Sequence, residues 1–257
     1  MITSVSNAKV KEVIKLQKKA SSRKAQSLFV VEGLKMFSEA ERGRIDSVFV
    51  SGEFMKKAEN RKRLEGLNYE LVNENVMKAI SDTVTPQGIL CTVKQFEYSI
   101  DQILKQERPR LLLLNDLQDP GNAGTILRTA EAAGMDAVIL SHGSVDLYNP
   151  KTIRSTMGAI YRVPFLYADL FEVITLLKQR RIPVYTTDMK GQSFREAAYG
   201  NGFAFIIGNE ANGVDQALAA CADRTVSIPM CGKTESLNAA VAAALIMYEA
   251  CYQAVRK

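Results

Sequence analysis

Apolar and polar positions change rhythm twice along this chain, and the changes mark out two blocks. After Asn7, a suitable helix cap, AKVKEVIKLQKKA sets Val10, Val13, Ile14 and Gln17 on one face. Short apolar runs then alternate with helix-like stretches. Strands are expected at LFVVEG (28–33), SVFVSG (47–52), YELV (69–72) and GILCTV (88–93). Between them fall a helix to about Arg42, a Lys/Arg-rich helix and a helix over 74–80. This alternation describes a small α/β domain over residues 1–94. The polar stretch 95–110 reads as a linker, helical in part.

The pattern restarts at Leu111 and continues to the end of the chain, giving a second domain over 111–257. Strands are expected at 111–114, 137–140, 183–187, 203–207 and 225–228, with helices at 122–133, 169–181 and 236–255. The segment 149–164 begins as a helix. The strands are apolar throughout rather than alternating, so both of their faces are buried. That is the signature of a mostly parallel sheet with helices on both sides.

Bulk properties narrow the class. The chain has 257 residues, 47% hydrophobic and 24% charged, as in ordinary folded proteins. No apolar run approaches the roughly 18 residues that would suggest a membrane span. The N-terminal stretch has no apolar signal core, so a cytoplasmic location is expected. Cys91, Cys221, Cys231 and Cys251 show no C-x-x-C spacing and read as reduced thiols, not a metal site. Charge is uneven: residues 1–63 hold 15 Lys and Arg against 7 Asp and Glu, while the remainder holds 18 against 21. A basic first quarter suits a polyanion, although a solvated lysine face would look the same.

Several familiar sites are absent. G-x-G-x-x-G does not occur, and Gly232-Lys233-Thr234 lacks the glycine a phosphate loop needs at position 227, which is Ser. His142 is the only histidine and has no G-x-S-x-G elbow to accompany it.

The chemistry gathers in three loops that follow strands of the second domain. The first, after Leu114, carries Asn115, Asp116, Asp119, Pro120, Asn122 and Gly124, then Arg128 on a helix. The second is Gly208-Asn209-Glu210-Ala211-Asn212-Gly213. The third runs from Pro229 through Met230 to Ser236, Leu237 and Asn238. Each places glycine where backbone must approach a ligand, and polar side chains at or before helix starts, where N–H groups are free. Singly, each has a structural explanation. Asn122 or Ser236 could cap a helix, Arg128 could be a solvated charge, and Glu210 could be a turn carboxylate. Together on successive strand ends they describe a site.

Asp119, Pro120, Asn122, Gly124 and Arg128, with GNEANGV (208–214) and IPMCGKTESLNAAVAAAL (228–245), closely resemble the three motifs of the SpoU class of SPOUT RNA methyltransferases. NPKTIRSTMGA (149–159) is also similar to that class. VVEG (30–33) and PQGIL (86–90) resemble its substrate-binding domain, which is similar to a ribosomal-protein RNA-binding fold. The resemblance implies methyl transfer from S-adenosylmethionine to a ribose 2′-OH of RNA, a homodimer and a trefoil knot. It implies cofactor contacts at Gly208, Ile228, Met230, Ser236, Leu237 and Asn238. On this reading Arg128 stands beside the 2′-OH, with Asn122 orienting both and Glu210 orienting the loop or Arg128. Guanidinium groups keep their proton to above pH about 12. Arg128 is therefore favoured as stabiliser of a nascent alkoxide over a role as base, although both stay open. The chemistry requires no metal, and no membrane is implied.

RNA phosphates are expected on Lys11, Lys15, Lys18, Lys19, Arg23 and Lys24. Ribosomal RNA, of the large subunit, is favoured over transfer RNA because the separate N-terminal domain resembles the ribosomal-RNA branch. A methyltransferase conferring antibiotic resistance would carry the same motifs. A non-catalytic RNA-binding or ribosome-assembly protein of the same fold is the alternative from another class.

Overall fold

In the computed structural model, which describes residues 1–255, Asn7 opens helix α1 (Ala8–Lys18) by accepting from the Lys9 N–H at 2.9 Å. The face that α1 buries is Val10, Val13 and Leu16, with Ile14 and Gln17 at its margin. Helix α2 (Ala20–Gln26) leads into β1 (Leu28–Glu32), and α3 (Leu34–Glu39) into β2 (Ile45–Ser51). The expected Lys/Arg-rich helix is two pieces, α4 (Gly52–Lys56) and α5 (Ala58–Arg63), because Lys57 between them is extended. Strand β3 (Glu70–Val72), α6 (Glu74–Ile80) and β4 (Ile89–Lys94) complete this part. The four strands lie in the order β1-β4-β2-β3, with β2 and β3 parallel and the other pairs antiparallel. Val10, Val13 and Leu16 of α1, Val76 and Ile80 of α6, and Val30, Phe49 and Leu90 of the sheet form one dry core.

The stretch expected to link the domains carries one short helix, α7 (Ile100–Ile103), opened by a Ser99–Gln102 capping box. Then come β5 (Arg110–Leu114), α8 (Pro120–Ala133), β6 (Ala137–Leu140) and α9 (Pro150–Thr156). The chain divides into two compact units, and α9 falls in the first: residues 1–96 with 146–161, against 97–145 with 162–257. The segment 146–161, expected in the second domain, thus belongs to the unit built by the chain's beginning. Its attachments explain this. The Tyr148 ring lies 4.7 Å from that of Phe29, and its hydroxyl accepts from the Phe96 N–H at 2.7 Å. Tyr161 donates to the Met36 carbonyl at 3.1 Å, Asp82 pairs with Arg154, and Thr152 and Thr156 are fully buried.

The second unit continues with β7 (Phe165–Tyr167), α10 (Leu170–Gln179), β8 (Val184–Ser193), β9 (Phe203–Ile207), α11 (Gln216–Ala220), β10 (Arg224–Ser227) and α12 (Ala239–Val255). Its six strands run in the order β10-β8-β9-β5-β6-β7 and every pair is parallel. All four leucines of β5 are inaccessible because β5 sits mid-sheet with helices on both faces. Leu111 and Leu113 pack with Leu170, Val173 and Leu177 of α10 and Leu218 of α11. From β5 the chain builds β6 and β7 to one side, while β9, β8 and β10 lie on the other. The carboxyl ends of β5 and β9 therefore flank a topological switch point, the position at which open α/β sheets hold ligands. Among the described residues no helix is long and apolar enough to cross a membrane.

Candidate active site

The first loop is locked before it reaches α8. Asn115, buried at the end of β5, accepts from the Asp215 N–H at 2.8 Å, tying this loop to the one after β9. Asp116 adopts a left-handed conformation (φ 51°), uncommon for a non-glycine residue. Its N–H donates to Ser141 Oγ at 2.8 Å, and Ser141 Oγ donates to its carboxylate at 2.6 Å. A Cβ on Gly143 would lie 2.3 Å from that carboxylate, so position 143 admits only glycine without a shift. Asp119 caps α8, accepting from the Asn122 N–H at 2.8 Å, and Pro120 fills the first turn. Asn122 is therefore not the cap, and its side chain is spent elsewhere.

It is spent on Glu210. The loop after β9 closes tightly, with Asn209 and Gly213 exchanging two backbone hydrogen bonds at 2.9 Å. A Cβ on Gly208 would come within 2.0 Å of Gly213 backbone, so this closure requires glycine. Glu210 then accepts from the N–H groups of Gln118 and Asp119, each at 3.1 Å, and from Asn122 Nδ2 at 2.9 Å. Asn122 Oδ1 in turn accepts from Asn238 Nδ2 at 2.9 Å, and Asn238 Oδ1 caps α12 on the Ala240 N–H at 2.9 Å. The cap of the last helix is thus Asn238 rather than Ser236. One series of side chains, Asn238 to Asn122 to Glu210, joins the three loops. Desolvation alone would raise the Glu210 carboxyl, but these donors together with its own N–H outweigh it and hold the carboxyl below the ordinary range.

Arg128 stands apart from this series. It is exposed and has no hydrogen bond or ion pair among the described residues. Six residues along an α-helix carry it about 240° around the axis and about 9 Å along from Asn122. Asn122 does not orient Arg128 in this chain, contrary to the expectation from the motif: the two side chains leave α8 in different directions, and the Asn122 amide is shared by Glu210 and Asn238.

Beside these loops lies a cavity of about 440 Å³, within the range of small-molecule sites. Gly208, Ile228, Met230, Ser236 and Leu237, all singled out in the sequence, line it, whereas the Asn238 amide turns to Asn122. The sequence reading missed one wall, Thr186 to Met189 within β8, and Gln216 and Ala219 on α11. The register explains the first omission: Thr225 pairs with Thr186 but Val226 with Gln192, so residues 187–191 bulge out of the sheet. A Cβ on Gly191 would lie 2.6 Å from Val226 backbone, and this glycine was the signal available in the sequence. Among the described residues no group of three or more His, Cys, Asp or Glu is placed to hold a metal ion.

In the first unit, Lys11, Lys15, Lys18, Lys19 and Lys24 are exposed, with Lys15 paired to Glu12. Arg23 is a correction to the expected phosphate contacts. It is 3% exposed, donates to the Leu16 and Gln17 carbonyls at 2.6 and 3.1 Å, and grips Asp146 at 2.6 and 2.8 Å. It holds α1, α2 and the 146–161 segment together.

A parallel α/β unit with three motif loops over one cavity, preceded by a separate small α/β unit, defines a two-part enzyme architecture. The chain belongs to the SpoU rRNA Methylase family, whose model matches residues 109–248, and an MRM3-like substrate binding domain model matches residues 7–91. It is 37% identical over 251 residues to the 23S rRNA (guanosine(2553)-2'-O)-methyltransferase RlmP of Bacillus subtilis, covering 96% of this chain and 97% of the relative. It is similar in structure to an RNA 2'-O ribose methyltransferase, with a TM-score of 0.82 and 32% identity over 98% of both chains. It is also similar to the SpoU methyltransferase AviRb of Streptomyces viridochromogenes, solved with AdoMet, with a TM-score of 0.87 and 28% identity. That match covers 96% of this chain and 98% of AviRb.

Proposed function

We propose that this chain transfers a methyl group from S-adenosylmethionine to a ribose 2′-hydroxyl of RNA, with large-subunit ribosomal RNA as its substrate. The observation that carries the reading is the Asn238–Asn122–Glu210 series, which locks three motif loops together beside one cavity. The cavity suits the donor. Its volume of about 440 Å³ accommodates a nucleoside with an amino-acid tail, and its lining mixes apolar side chains with the carboxylates of Asp188 and Glu235. Gly208, Ile228, Met230, Ser236 and Leu237 would hold it. When bound, S-adenosylmethionine supplies a methyl group already activated on a sulfonium.

The protein's own part is to place and polarise the hydroxyl. Arg128, exposed and without a partner among the described residues, stabilises the alkoxide that develops as the 2′-OH passes its proton to water or an RNA phosphate and takes the methyl group, with S-adenosylhomocysteine as the leaving group. Glu210 and Asn238 fix the amide of Asn122 in one orientation, so that the start of α8 presents a preset surface to the ribose. The lysines of α1 and α2 hold RNA phosphates, which position the substrate without reading its sequence.

A homodimer belongs to the same reading. Val241, Leu245, Tyr248 and Tyr252 recur on one side of α12 and are 40 to 53% exposed, an apolar stripe suited to a second copy. The displacement of Arg128 from Asn122 supports delivery of this arginine to the partner's site. The trefoil knot and a cytoplasmic setting are also part of the proposal. The RlmP relative supports large-subunit RNA as the substrate. The test is to supply methyl-labelled S-adenosylmethionine with large-subunit rRNA, small-subunit rRNA or tRNA. Label should enter a 2′-O-methyl nucleotide of the large-subunit RNA; binding of RNA with no transfer would favour the non-catalytic alternative.

A further inference from the structure

The three motif loops are not held alike. The loop after β5 is tied through Asp116 to Ser141 and through Asn115 to Asp215. The loop after β9 is closed by the Asn209–Gly213 pair and by Glu210 on Gln118 and Asp119. The third, residues 228–237 between β10 and α12, makes no hydrogen bond among the described residues, and none of its residues is buried. Folded chains average about one internal hydrogen bond per residue, so this segment is restrained only at its ends. At one end the Ser227 carbonyl accepts from the Phe194 N–H at 2.9 Å, and at the other Asn238 caps α12.

This least restrained loop is also a wall of the cavity. Ile228, Met230, Glu235, Ser236 and Leu237 line it, and Leu237 is apolar yet 37% exposed. A segment with no internal hydrogen bonds and no buried side chains opens at little cost. A ligand in the cavity offers its free N–H groups acceptors and its apolar side chains cover. The facing wall, 208–213, has no such freedom because it is already locked. Asn238 carries the consequence onward. It ends the loose segment, and its Nδ2 donates to Asn122 Oδ1 at 2.9 Å, while Glu210 holds the other side of the same amide at 2.9 Å. One arm of the clamp on Asn122 is therefore fixed and the other hangs on residues 228–237. Where one ligand orders a segment, a second ligand that needs the ordered form binds more tightly.

We propose that the methyl donor orders residues 228–237 and, through Asn238, fixes Asn122, so that RNA binds more tightly to donor-loaded protein. The proposal rests on the reading of the cavity as the S-adenosylmethionine site and of RNA as the substrate. The test joins hydrogen exchange to RNA-binding titration on the full chain. The probes are S-adenosylhomocysteine, which cannot transfer a methyl group, and large-subunit rRNA. Saturating S-adenosylhomocysteine should slow amide exchange across 230–237 at least about tenfold. It should tighten rRNA binding about tenfold, and rRNA should tighten S-adenosylhomocysteine by the same factor. Asn238→Ser keeps a cap for α12 but lacks the amide that reaches Asn122. In that variant the segment should still be protected, while the gain in RNA affinity falls below about twofold. Asn122→Ala, which leaves the α12 cap untouched, should lose the gain likewise. An unprotected segment, RNA affinity indifferent to S-adenosylhomocysteine in the parent, or full coupling in both variants would each overturn the proposal. Protection that follows protein concentration and needs no ligand would assign the segment to a second copy, and would overturn it too. If the parent chain does not bind S-adenosylhomocysteine at all, the methyl-donor reading itself fails and this proposal fails with it.

Discussion

Arg23 and Arg128 look alike in the sequence, each on a helix and each a candidate for contact with RNA. The fold treats them oppositely. Arg23 is buried, with its guanidinium divided between two carbonyls and Asp146. Arg128 is exposed, and no side chain among the described residues neutralises it. The first unit uses its arginine to close its own structure, and the second leaves its arginine available. A charge is informative about function only once its partners are known, and a missing partner beside an ordered polar cluster carries the signal.

That contrast can be broken by substitution. Arg128→Ala should lower the methyl-transfer rate roughly 1000-fold, the scale of removing one charge-stabilising donor, while S-adenosylmethionine affinity and thermal stability stay near the parent values. Near-normal transfer would remove Arg128 from the mechanism. Arg23→Met should do the reverse and cost about 3 kcal/mol of stability in denaturant titration, because Asp146 loses its partner and two carbonyls lose their donor. It should leave the salt dependence of RNA binding unchanged; a shallower dependence would return Arg23 to the RNA surface.

Glu210→Gln sharpens the comparison from the side of the cluster. Its carboxylate accepts at both oxygens, and an amide puts a donor in one of those places. Transfer should fall about 100-fold through misplacement of Asn122. The same carboxylate sets a pH limit. Its folded value lies below the ordinary 4.5, so its stabilising contribution is complete above that value. The contribution disappears as pH falls through the folded value. The loops should therefore resist mild acid, and Glu210→Gln should erase this contribution to the acid limb of a stability–pH curve. The smallest effect is expected from replacing Lys11, Lys18, Lys19 and Lys24 together with alanine. Affinity for RNA should fall, and the slope of log K against log salt should become shallower by about 3, with transfer at saturating RNA unaffected.

Much of this was legible in the sequence. Strands β6 and β9 lie where their uninterrupted apolar runs put them, at 137–140 and 203–207. The three loops could be found because glycine, asparagine and acidic residues follow such runs directly. What could not be read depends on tertiary pairing. Helix α11 has only five residues, too few for a periodic signal. The polar residues at the end of β8 gave no strand pattern, yet pairing with β10 resumes there at Gln192 after the bulge. Asn122 looked like a helix cap because Asp119, three residues earlier, could not be preferred without the backbone geometry. The membership of 146–161 in the first unit rests on Arg23, Phe29 and Met36, more than a hundred residues away in sequence.

The central claim is that the Arg128 helix and the loops joined by Asn122 methylate a ribose of large-subunit ribosomal RNA. Its most direct test is a map of 2′-O-methyl nucleotides in ribosomal RNA from cells with the gene, without it, and with Arg128→Ala in its place. The account predicts one large-subunit position that is methylated in the first and unmethylated in the other two. An identical map in all three would contradict it.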